Sequence, residues 1–184
     1  MLETLIYLIG ILALLILFYI AITYNNLIGL RTRIDRAWAQ IDVFLKRRFD
    51  LIPNLVETVK AYAKHEKETL EMVTKARNEL VDGSIEKRGK ANAHISSGIK
   101  TLFAVAEAYP DLKANEDFLK LQEELVATEN SVSYVRIGYN DDVLHYNIAL
   151  QTFPSSIIAN MFGFKPKEFF QAKPEERETI KINI

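Results

Sequence analysis

The chain has 184 residues, with 23 Lys and Arg against 24 Asp and Glu, 49% hydrophobic residues and no cysteine. Near-neutral charge leaves no electrostatic footprint for nucleic acid, and the lack of thiols excludes disulfides and thiolate metal sites while fitting a reducing compartment. Beyond an apolar N-terminal segment about 160 residues remain, enough for one domain with its own core.

That segment runs uncharged from Thr4 to Tyr24 and is apolar on every face, through Leu5, Leu8, Leu12, Leu15, Phe18 and Ile22. At about 1.5 Å per residue it covers roughly 30 Å, the hydrocarbon thickness of a bilayer. A surface helix would carry a polar face, and no second apolar segment is long enough to bury this one. A secretory signal would need a basic start and a small-x-small cleavage site, but Glu3 precedes the run and Ala21 is followed by Ile22, Thr23 and Tyr24. A single transmembrane helix retained as an anchor in the lipid bilayer is expected. Arg31, Arg33 and Arg36 follow it closely, so the positive-inside tendency places a short N-terminus outside and the remainder in the cytoplasm.

The first soluble helix, over about residues 25–50, is expected to grow out of the span. Leu27, Leu30, Ile34, Trp38, Ile41 and Leu45 form a stripe suited to packing within the chain or to lateral association into a homo-oligomer. The pattern breaks at Arg47, Arg48, Phe49 and Asp50, and Pro53 follows. Proline lacks a backbone donor, so a boundary is expected between Asp50 and Pro53 with Asp50 as cap of a second helix over 52–82; a kinked continuation is the alternative. That second helix is expected to stop at Asp82, Gly83 and Ser84. A third helix follows over 85–108, weakened by Gly89 and Gly98 at about 1 kcal/mol each relative to Ala. Asn115 caps a fourth over 115–151.

The expected fold is all-α: a transmembrane helix passing into an antiparallel four-helix bundle of long, coiled-coil-like helices with a short C-terminal hook. Up-down-up-down order returns the fourth helix towards the lipid. The segment 153–172, with Phe153, Phe162, Phe164, Phe169 and Phe170 beside Lys165 and Lys167, then either sits at the membrane interface or caps the bundle. Residues 173–184 read as a loose tail.

Polar residues concentrate after the first stripe: Lys46, Arg47, Arg48, Asp50, Asn54, Glu57, Lys60, His65 and Glu66. Glu57 and Lys60 are spaced for an intrahelical ion pair. The favoured reading is a structural network of Arg48, Asp50, Asn54, Glu57 and Lys60 with Glu129, Asn130 and Arg136 on the fourth helix, fixing helix register. A di-metal bundle centre needs two Glu-x-x-His pairs. Among His65, His94 and His145 only the last has a carboxylate, Asp142, three residues before it. No nucleophile–base pair, phosphate-binding glycine loop or HExxH is present, so no catalytic residue, cofactor, metal or small-molecule substrate is assigned. Lys46 to Arg48 lie about 35 Å past the span along a straight helix, several Debye lengths from lipid headgroups.

The run AWAQIDVFLKRRFDLIPNLVETVKAYAKHE, Ala37 to Glu66, resembles the signature of the LemA family of bacterial membrane proteins. So do Thr128-Glu129-Asn130, Tyr139-Asn140, Tyr146-Asn147 and the stretch from Gln151 to Phe170. The likeness covers nearly the whole chain and departs from the pattern at Val135 and Ile148. It implies a single-pass inner-membrane protein with a helical-bundle domain and no defined activity. A relative that helps organise magnetosome membranes, and the frequent neighbourhood of an HtpX-like membrane metallopeptidase, imply either a non-enzymatic scaffold or adaptor or an accessory subunit of such a peptidase. A cryptic metal-dependent enzyme is the remaining alternative.

Overall fold

The computed structural model describes residues 1–63, 66–80 and 83–170. His65, Asp82, the end of the aromatic segment at 171–172 and the expected tail at 173–184 lie outside the described residues. The described elements are all helical: α1 Leu2–Tyr62, α2 Lys67–Glu79, α3 Ile85–Ala106, α4 Pro110–Lys113, α5 Glu116–Gln151 and α6 Ser155–Met161. They fall into two compact units, Met1–Arg36 with Asn140–Lys167, and Ala37–Tyr139 with residues 168–170.

The second unit is a bundle of the C-terminal part of α1 with α2, α3 and the N-terminal part of α5. Side-chain pairs show that sequential helices run antiparallel. Arg77 of α2 reaches Phe49 of α1, Val73 of α2 faces Gly98 of α3, and Ser96 of α3 meets Glu129 of α5. Successive contacts diverge in sequence as antiparallel packing requires: Leu80–Arg88 then Val73–Gly98 between α2 and α3, and Phe103–Phe118 then Ser96–Glu129 between α3 and α5. The core takes Ile41, Leu45, Ile52, Leu55 and Val59 from α1, Val73 and Leu80 around α2, Ile95 and Leu102 from α3, and Phe118, Leu125 and Val132 from α5. Ser84 caps α3 by accepting from Lys87 N, and Asn115 caps α5 by accepting from Phe118 N at 2.9 Å.

The expected boundary between Asp50 and Pro53 is not there. α1 continues through Pro53 to Tyr62, so Asp50 is an exposed mid-helix residue and not a cap, and the first turn follows Tyr62. The expected second helix is divided: its first part belongs to α1 and the rest is α2. Two features carry the chain through. Arg48 does not break the stripe; it lies in phase with Ile41, Leu45, Ile52, Leu55 and Val59 and is buried with them. And the carbonyl of Phe49, the acceptor left free because Pro53 has no N–H, receives Arg77 Nε at 2.8 Å.

Gly98 owes its place to close approach. A Cβ there would lie 2.4 Å from Val73 Cγ2, so α2 and α3 meet where one of them has no side chain. Gly98→Ala is expected to destabilise by about 1 kcal/mol, because about 1–3 kcal/mol of overpacking outweighs the gain of about 1 kcal/mol in helix propensity. A thermal melt checks this; a rise in melting temperature would contradict it.

The first unit holds the apolar part of α1, where every side chain from Leu2 to Tyr19 is exposed. This helix is long and apolar enough to cross a membrane. Beyond it, Leu27 and Ile34 are buried with Tyr146, Leu150, Ile158 and Ala159. α6 ends in a Schellman motif: Phe164 N bonds Ala159 O at 2.9 Å and Gly163 N bonds Asn160 O at 3.2 Å. Gly163 takes the left-handed conformation this requires, φ 70°.

Candidate functional site

The bundle is built around one buried cation. Arg48 occupies a core position of α1 and is 1% exposed. Its Nη1 lies 2.5 Å from Asn92 Oδ1, 2.5 Å from Glu129 Oε2 and 3.1 Å from Ser96 Oγ. Asn92 and Ser96 stand one turn apart on α3, so both face α1, and Ser96 Oγ is also 2.5 Å from Glu129 Oε2. Burial pushes the guanidinium below its ordinary value while Glu129 pushes it back up, and an arginine so placed keeps its charge. Nε of Arg48 is buried and has no hydrogen-bond partner among the described residues. A cavity of about 230 Å³ adjoins the centre, lined by Ile99, Phe103, Leu125 and Val126 with Lys100 and Asn130.

The structure brings together only part of the predicted network. Arg48 and Glu129 pair, and Asn130 lies beside them. Asn54 and Glu57 line a separate cleft with Asp117, Lys120 and Glu124, next to an Arg47–Glu124 pair at 3.2 Å. Lys60 lines a third cleft with Lys67, Glu71 and Lys75, and does not pair with Glu57 as expected. Asp50 is exposed and Arg136 half-buried on α5. Sequence reasoning missed Asn92, Ser96, Arg77 and Arg88. The last donates from Nε to Leu80 O at 2.6 Å, pairs with Asp42, and lies 5.0 Å from the Trp38 ring centroid. Among the described residues no group of three or more metal-ligating side chains converges.

The stripe assigned to packing or association is committed to packing. Leu27, Ile34, Ile41 and Leu45 are at most 1% exposed, and Leu30 and Trp38 are half-buried. The aromatic segment divides between the units. In the first, Phe162 and Phe164 pack on Tyr24 at 4.8 and 5.7 Å between ring centroids. In the second, Phe170 is buried 5.9 Å from Trp38, and Tyr139 donates to Glu168 O at 2.8 Å. Phe153 and Phe169 are exposed.

Within the first unit Asn147 clamps the backbone of Lys167, accepting from its N and donating to its O, both at 2.9 Å. The clamp sets Lys167 Nζ 3.2 Å from Asp35. Burial raises the pKa of the Tyr146 phenol, which Arg31 lowers and Asp35 raises. Arg31, Asp35, Tyr146 and Lys167 surround a cleft of about 370 Å³ with Tyr24, Ile28, Phe162, Gly163, Phe164 and Lys165.

An all-helical chain with a membrane-length apolar N-terminal helix and a bundle closed on an arginine–glutamate pair defines a class of membrane-associated helical proteins. The LemA family model matches residues 37–184, and the chain belongs to the LemA family. It is 26% identical to Protein LemA of Metamycoplasma hominis over 85% of this chain and 72% of that one. It is 25% identical to magnetosome protein MamQ 2 of Paramagnetospirillum magneticum and 24% identical to magnetosome protein MamQ of Magnetospirillum gryphiswaldense, over 82% of this chain and 65% of each of those. The chain thus spans just under two thirds of the length of these magnetosome relatives.

Proposed function

We propose that this protein is a non-enzymatic scaffold or adaptor, anchored by its N-terminal helix in the bacterial cell membrane with the bundle in the cytoplasm, and that it self-associates there. The observation that carries the reading is the fully exposed apolar stretch of α1, which no other part of the described chain covers. The relatives named as magnetosome proteins support a membrane setting. Because the stripe on α1 is buried, self-association falls to another surface. Leu119, Val126, Tyr134 and Ile137 are 46–80% exposed and, at 3.6 residues per turn, share one face of α5.

The test uses the absence of native cysteine. Tyr134→Cys supplies a single thiol on that face, and disulfide crosslinking in native membranes is expected to give a dimer, while Asp111→Cys on α4 gives monomer. Monomer alone from both variants would remove self-association. Recovery of the chain in the aqueous phase of a detergent phase separation would remove the anchor.

A further inference from the structure

Tyr24, Ile28, Arg31 and Asp35 follow one another at four-, three- and four-residue steps and so share a face of α1. Tyr24 ends the apolar run, ahead of Asn25 and Asn26. Arg31 stands about 10 Å further along the axis, and helical side chains lean back towards the N-terminus, which carries its guanidinium towards the headgroup layer. Against this face the Schellman turn at Gly163 sets Phe162 and Phe164 on Tyr24 and delivers Lys165 and Lys167 to the same cleft. Asp35 is paired with Lys167. Arg31 and Lys165 are exposed and form no salt bridge among the described residues, so the cleft carries two uncompensated positive charges. Phe162 is 50% exposed beside them. Cations in this number, over aromatic rings at the end of a span, match one ligand: a phosphate at the membrane surface with its acyl chain alongside.

We propose that this cleft binds the headgroup phosphate of an anionic phospholipid, with Arg31 and Lys165 contacting the phosphate and Phe162 lying against the lipid chain. The assignment rests on the anchor reading of α1, and it gives the aromatic segment a task in the lipid surface that a bundle cap would not have.

The experiment is native mass spectrometry of the full chain released from detergent micelles, with phosphatidylglycerol, phosphatidylcholine or inorganic phosphate added. One phosphatidylglycerol is expected to be retained at least tenfold more tightly than phosphatidylcholine, and inorganic phosphate at equal concentration should not displace it. Arg31→Gln with Lys165→Gln is expected to weaken retention roughly 25-fold, at about fivefold per cation. The same charge change at Lys75 and Lys120 should leave it within twofold, as should Arg31→Lys with Lys165→Arg, which shows that the loss is not one of folding. Equal retention of the two lipids, an equal loss in the Lys75 and Lys120 pair, or displacement by inorganic phosphate would overturn the proposal. Alkaline carbonate extraction of the membranes from which the chain is purified separates the two failures. A chain that stays in the pellet but shows no lipid preference has lost only the lipid site, whereas a chain that is extracted has lost the anchor.

Discussion

Glu129→Leu with Arg48 retained is expected to lower the stability of the bundle by about 5 kcal/mol, and Arg48→Met with Glu129 retained by about 3 kcal/mol. Removing either partner takes the opposite charge away from a group held in the interior, and the asymmetry follows from how exposed each remaining group is. Arg48 is 1% exposed, while the Glu129 side chain is 22% exposed and rehydrates more readily. Arg48→Met with Glu129→Leu removes both charges and fills the volume with apolar atoms, so it should recover most of the loss. A deficit of about 1 kcal/mol should remain, because Asn92 loses its partner. Trp38 is the sole tryptophan and lies in this unit, 5.7 Å from Tyr139 and 5.9 Å from Phe170, so its fluorescence during thermal unfolding in detergent reads the bundle directly. A double variant as unstable as Glu129→Leu alone would show that the centre is not a self-contained pair. A stable double variant would give a folded bundle without its charge centre, in which the centre's contribution to partner choice can be measured.

Much of this architecture is legible in the residues. The apolar run is unmistakable by composition, and the caps at Ser84 and Asn115 are local signals that act locally. Arg48 is different. Counted as polar it breaks the stripe, but counted by position it continues the series Ile41, Leu45, Ile52, Leu55 and Val59, and only its partners on α3 and α5 make that position tolerable. The wider network failed for a geometric reason. At about 100° per residue, Asn54, Glu57 and Lys60 lie about 240°, 180° and 120° around the helix from Arg48, so these neighbours in the motif share a face turned away from it. Asn92 and Ser96 carried a usable signal, polar residues among the small and apolar ones of α3. Gly163 carried another, since glycine after the short apolar helix Ser155–Met161 suits a Schellman turn.

Pro53 is where local reasoning was least adequate, and it yields the second large effect. A proline inside a helix typically costs about 3 kcal/mol or more, partly through the orphaned carbonyl four residues back. Here that carbonyl, Phe49 O, accepts from Arg77 Nε, and the same guanidinium lies 3.7 Å over the Phe49 ring. Arg77→Ala should therefore cost about 2–3 kcal/mol, combining an unsatisfied part-buried acceptor with a lost cation–π contact. In a Pro53→Ala background the helix regains its own N–H donor to Phe49 O and Arg77 becomes redundant as a partner of the carbonyl. The same substitution should then cost only about 1 kcal/mol, the share of the ring contact. The difference, about 1–2 kcal/mol of coupling, is what a double-mutant cycle reads, and two residues that merely stabilise the bundle independently would give a coupling near zero. Equal losses in both backgrounds would mean that α1 crosses its proline without help from α2. The expected coupling would instead make Arg77 the residue that lets one helix run unbroken from Leu2 to Tyr62.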